Sequence, residues 1–110
     1  MVTYKVVITP HALHQLQEYH DYIRNTLLSE QAARNVWQDA FETIHRLSSV
    51  AGSMRLCSNP QLRNFGYRVI HFQSHRYVMI YRIEDDTAYI EAVYHHLQNY
   101  ETLFFNDLED

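Results

Sequence analysis

The chain has a single cysteine, Cys57, so no disulfide can form within it, which fits a reducing compartment. It has only two glycines and two prolines, too few for flexible linkers or low-complexity segments. Lysine is nearly absent: Lys5 is the one example, and the other eight basic side chains are arginines. No apolar run approaches the roughly 20 residues of a membrane-spanning helix. The opening Met1-Val2-Thr3-Tyr4-Lys5 lacks the apolar core of a secretory signal. The expectation is a cytoplasmic protein with no membrane partner. There are eight histidines, yet neither a Cys/His quartet nor an HExxH spacing occurs, so no metal and no other cofactor are expected.

What is present is a globular composition. Hydrophobic residues make up 46% and aromatics 14%, which excludes a disordered or fibrous chain. With 110 residues the expectation is one domain spanning residues 1–110. A chain of this size buries roughly two-thirds of its unfolded surface, so it needs no covalent staple. The formal charge of −4 gives no global attraction to nucleic acid. The charge is uneven, however: residues 55–82 hold five arginines and no acid. A local basic face is therefore expected there.

The pattern along the chain changes character twice. Residues 4–9 (YKVVIT) read as a short strand. Thr9-Pro10 supplies a hydroxyl cap and a proline at the first helical position. Apolar residues then recur at helical spacing to about residue 28. Ser29 is a second cap, followed by the stripe Ala33, Val36, Trp37, Ala40, Phe41, Ile44 and Leu47, with an end near Ser49. The short gap predicts an antiparallel helical hairpin. Residues 51–65 have no period and read as a loop. Residues 66–72, 76–84 and 87–95 are rich in Val, Ile, Tyr and Phe between polar turns, which predicts an antiparallel meander. Its middle run is nearly continuous in apolar residues, as a strand covered on both faces should be. Residues 97–105 suggest a last helix with Leu97, Tyr100, Leu103 and Phe104 on one side. The expected order is β-α-α-β-β-β-α, an α+β fold with the hairpin packed on a small, mainly antiparallel sheet.

That order, with these words at these places, resembles the RelE/ParE superfamily of toxins. YKVVITPHALHQLQEYHDYI is similar to the family's first strand and helix, and AARNVWQDAFETIHRL to its second helix. LRNFGYRVIHF and RYVMIYRIEDDTAYIEAVYHHLQNY are similar to its meander and its closing His…Asn-Tyr segment. The likeness runs from about Tyr4 to Leu103 and lies in the ordered set rather than in one motif. It implies the toxin of a type II toxin–antitoxin pair, a growth inhibitor neutralised by a cognate antitoxin. RelE-like members act at the ribosome and cut mRNA without a metal. ParE-like members instead inhibit DNA gyrase and break no bond themselves. The expectation taken forward is an mRNA interferase acting on ribosome-bound mRNA. Gyrase inhibition and a non-toxic, antitoxin-binding relative are the alternatives.

The resemblance points to particular side chains. Cleavage by a ribose 2′-OH needs a base, a cation for the phosphorane and an acid for the leaving oxygen. Arg68 matches the basic residue of the second strand, where its planar fork would clamp a phosphate; it could equally be a surface arginine paired with Glu91. His95 matches the family histidine at the end of the last strand, with an imidazole suited to proton transfer. Tyr100 falls where RelE-like members place a tyrosine that stacks or donates a proton, and packing of the last helix is its other reading. These three are the expected catalytic set. Arg63, His71, Arg76 and His96 are the expected substrate-binding set, each also readable as a solvated side chain. Val78 stands where RelE-like nucleases carry an arginine, with Arg76 two residues earlier on what would be the same strand face. Ile70 stands at the next basic position after Arg68. If the last strand persisted, His95 and His96 would face opposite sides.

The partners expected are the antitoxin together with the ribosome and mRNA, or gyrase. The chain itself would form a homodimer or a toxin–antitoxin hetero-oligomer. Leu97, Leu103, Phe104 and Phe105 form an apolar group that would dock the last helix on the sheet or receive an antitoxin segment.

Overall fold

In the computed structural model, which describes residues 3–108, β1 (Lys5–Ile8) leads into α1 (Pro10–Asn25) and α2 (Glu30–Val50). A 3₁₀ turn (Ala51–Ser53) and α3 (Pro60–Asn64) follow, then β2 (Arg68–His71), β3 (Tyr77–Glu84), β4 (Thr87–His95) and α4 (Tyr100–Leu108). Both expected caps are made. Thr9 Oγ1 accepts from the Ala12 N–H at 3.3 Å, and Ser29 Oγ accepts from that of Ala32 at 3.1 Å. Each oxygen satisfies one amide that a helix start leaves unpaired. The hairpin turns through Leu28, a non-glycine residue at φ 55°.

The sheet order is β1-β4-β3-β2. β2, β3 and β4 form the expected antiparallel meander, while β1 adds in parallel to β4, from Lys5 opposite Thr87 to Ile8 opposite Ile90. The connection between β1 and the meander is the helical hairpin. α1 and α2 lie on one sheet face, where Leu16, Val36 and Leu47 meet Ile70, Met79, Tyr81 and Ile90. The opposite face carries a second core, in which Val69, Val78, Ile80 and Ala92 meet Cys57, Leu62 and Phe104. Coverage on both faces explains the unbroken apolar run Val78-Met79-Ile80-Tyr81, whose side chains are fully buried.

Two expectations are corrected. Residues 51–65 are not a plain loop. Asn59 accepts from the Gln61 and Leu62 N–H groups, and Pro60 occupies the first helical position, so α3 forms and seats Leu62 in the second core. The last helix starts at Tyr100 rather than Leu97, and its buried side chain is Phe104. Leu97 precedes the helix and is 72% exposed, so the expected one-sided stripe does not form. Among the described residues no helix is long and apolar enough to cross a membrane.

Candidate functional site

The sheet topology distributes the expected catalytic groups over three places. Arg68 opens edge strand β2 and points to the hairpin face with Ile70. Its guanidinium donates to the Met54 carbonyl. Opposite it on β3, the Tyr81 hydroxyl donates to the Ala51 carbonyl. Burial pushes the Tyr81 hydroxyl up from its usual pKa, and Arg68 pulls it partly back. Together the two side chains pin the turn after α2 to the sheet. Arg68 does not pair with Glu91, which faces Arg82 at 3.5 Å.

His95 ends β4 on the same sheet face but near the other end of β3. It pairs with Tyr77, whereas Arg68 pairs with Tyr81. Four residues along β3 and two strand spacings across it separate Arg68 and His95 by about 16 Å. The His95 ring is held in place. Its Nδ1 accepts from the Leu97 N–H at 3.2 Å, and its edge meets Tyr77 at 5.3 Å between ring centroids. An accepting Nδ1 leaves the proton on Nε2. β4 ends here, and His96 follows it directly. Its ring stacks on His95 at 5.5 Å, and its N–H donates to the Arg76 carbonyl. Arg76 precedes β3 and lines a notch with Tyr77 and His95 on the hairpin side. Val78 faces the second core, and Arg76 lies just before β3 begins, outside the regular strand on which the two would share a face.

Tyr100 lies on the second-core side. Its hydroxyl accepts from Arg55 Nη2 at 3.0 Å, and its ring stands edge-on to His71 at 6.5 Å. Glu101, next along α4, accepts from the N–H groups of Ser58 at 3.1 Å and Asn59 at 2.6 Å, and faces Arg55 at 3.8 Å. These contacts tie the start of α4 to the loop before α3. The His71 imidazole is held below its usual pKa, by burial first and then by Arg55 and His96. A lowered value keeps it neutral near pH 7, able to accept a proton. Arg63 is exposed on α3, apart from both groups. Among the described residues no group of three His, Cys, Asp or Glu is placed to hold a metal ion.

Of the seven residues singled out from the sequence, the fold brings together His71 with Tyr100 and Arg76 with His95 and His96. Arg68 and Arg63 stand alone. Two functional-looking contacts carried no sequence signal strong enough to find them. Arg55 sits in the aperiodic stretch, 45 residues from the tyrosine it contacts. Asp39, on the buried stripe of α2, accepts from the Ser74 N–H at 3.0 Å and from His75 Nδ1 at 2.7 Å. A carboxylate between Val36 and Ala40 on an apolar face was the available clue.

Comparison with known proteins adds three findings. The family model described as "ParE toxin of type II toxin-antitoxin system, parDE" matches residues 6–100. A solved structure described as "Chromosomal ParDE TA system from P. aeruginosa" superposes with a TM-score of 0.69 at 19% identity, over 83% of this chain and 94% of that one. No curated protein matches the sequence significantly.

Proposed function

The chain belongs to the ParE toxin family of type II toxin–antitoxin systems, and on that premise we propose that it arrests growth by binding DNA gyrase and is held inactive by a cognate antitoxin. In this reading none of its own side chains breaks a bond. The observation that carries it is the separation of the groups a nuclease would need. A general base or acid must lie within about 2.6–3.2 Å of the proton it moves. By strand geometry the Cα atoms of Arg68 and His95 lie about 16 Å apart, across two strand spacings and along four residues; the Arg68 fork is engaged by the Met54 carbonyl, and Tyr100 lies on the other sheet face. The chain's acidic balance also suits a protein target better than an RNA. In the resemblance drawn from the sequence, the ParE-like branch is the one that acts on gyrase without nuclease chemistry. The test is inhibition of gyrase supercoiling by the purified chain, with its reversal by the antitoxin.

A second reading, ribosome-dependent mRNA cleavage, is favoured by one observation. Arg55, His71 and Tyr100 offer a cation, a neutral imidazole and a hydroxyl on a single face. In that reading His71 would take the 2′-OH proton, Arg55 would face the phosphate, and Tyr100 would donate to the leaving oxygen. His71→Ala, Arg55→Ala and Tyr100→Phe would each abolish mRNA cutting mapped by primer extension, whereas Arg68→Ala would not.

A further inference from the structure

The hairpin tip is unusually apolar for a solvent-facing turn. Leu27 is 59% exposed, Leu28 is 84% exposed and Tyr22 is 56% exposed. Leu28 also holds the left-handed backbone at φ 55°, which costs a non-glycine residue about 1 kcal/mol or more. The left-handed residue closes the turn between α1 and α2, but the exposed apolar side chains around it bury nothing within the chain. Beside the tip a notch of about 470 Å³ opens toward the turn between β2 and β3, within the size range of binding pockets. Its floor is Ile23, Leu27, Ala32 and Val36, with the rings of Tyr22 and Tyr77 at its sides. His75, Arg76 and His95 form its rim.

Among the described residues no carboxylate lines this notch, in a chain of net charge −4. Arg76 is exposed, is permanently charged, and meets no acid within salt-bridge distance among the described residues. His75 is held in position by its bond to the buried Asp39, and His95 by the Leu97 N–H. Both rings are therefore held in fixed orientations beside an apolar floor, and His95 turns its Nε2–H outward. The floor is mainly aliphatic, which fits a leucine-like side chain better than a stacked base. One permanent cation is also too few for an RNA backbone, whose binding rests on neutralising several phosphates.

We propose that the notch between the hairpin tip and the β2–β3 turn docks an acidic segment of a partner protein, one that inserts a bulky aliphatic side chain beneath flanking carboxylates. This surface lies on the opposite sheet face from Arg55, His71 and Tyr100. It stands or falls separately from the choice of growth target, because its test reads binding and not growth arrest.

The test uses the full chain and a fluorescein-labelled helical peptide made of Glu and Ala, with two Leu one turn apart. Anisotropy should rise on titration, and amide resonances of Leu27, Tyr77 and His95 should shift. Peptides with Lys for Glu, or with Ala for both Leu, should bind about tenfold more weakly or worse. Arg76→Glu and Leu27→Ala, both at exposed positions, should each weaken binding several-fold without changing the far-ultraviolet spectrum. Equal binding of the acidic and basic peptides would overturn the proposal. So would shifts confined to Tyr100 and Phe104, displacement of the peptide by an oligouridylate, or a self-associating chain that Leu27→Glu renders monomeric.

Discussion

His75 Nδ1 lies 2.7 Å from Oδ2 of Asp39, a carboxylate only 3% exposed on the inner face of α2. The same oxygen accepts from the Ser74 N–H, so one side chain fastens the β2–β3 turn to the helical hairpin. Removing the carboxylate leaves both donors without their partner. Asp39→Ala should therefore lower stability by about 2–3 kcal/mol, and Asp39→Asn, which keeps an acceptor oxygen, by about half that. Urea denaturation checks the order. Equal losses for the two variants would mean that the hydrogen bonds are not the source.

Arg68 and Tyr81 hold the turn after α2 through the Met54 and Ala51 carbonyls. Arg68→Ala and Tyr81→Phe should each cost about 1–2 kcal/mol, with a measurable coupling in the double variant because they share that turn. Under the gyrase reading the folded Arg68→Ala chain still arrests growth. Loss of arrest with stability unchanged would make Arg68 a functional contact instead of a strut.

The lowered pKa of His71 sets a pH dependence. The unfolded chain, with a value near the usual 6.5, takes up the proton before the folded chain does. Stability from this residue is thus full above about pH 6.5 and declines as pH falls toward the folded value. His71→Gln should lose less stability than the parent chain between about pH 7.5 and about pH 5.5 in urea melts. A larger loss in the variant would reverse the sign assigned to the site.

Cys57 is fully buried, and burial together with Glu101 pushes its thiol up to about 12 despite Arg55 nearby. The thiolate is the reactive form. Iodoacetamide at about pH 8 should leave the native chain unmodified and alkylate it fully in denaturant, read by mass spectrometry. Rapid labelling of the native chain would show that the loop before α3 opens.

The parts of the fold written in local periodicity were legible. Thr9 and Ser29 announced both hairpin helices, and alternation with polar turns announced the meander and the buried course of β3. What depended on distant partners was not legible. Nothing local says that Lys5–Ile8 runs parallel to Thr87–Ile90, because that pairing is set by the hairpin crossing between them. α3 is one turn long and leaves no period to read. Among the site residues, His95 and Tyr100 could be named from their place near the end of the meander. Their placement on opposite sheet faces could not, since it follows from where β4 stops and the chain turns. Arg55 and Asp39 act through contacts 45 and 36 residues away, which only the folded chain reveals.

The most direct measurement is a supercoiling reaction with purified gyrase, run beside a purified translation reaction that reports mRNA cleavage. The chain is expected to inhibit supercoiling and leave mRNA intact. The triple variant Arg68→Ala, His95→Ala, Tyr100→Phe, once its folding is verified, should inhibit gyrase to a similar extent. Unaltered supercoiling together with mRNA cut in the translation reaction would contradict the proposed function.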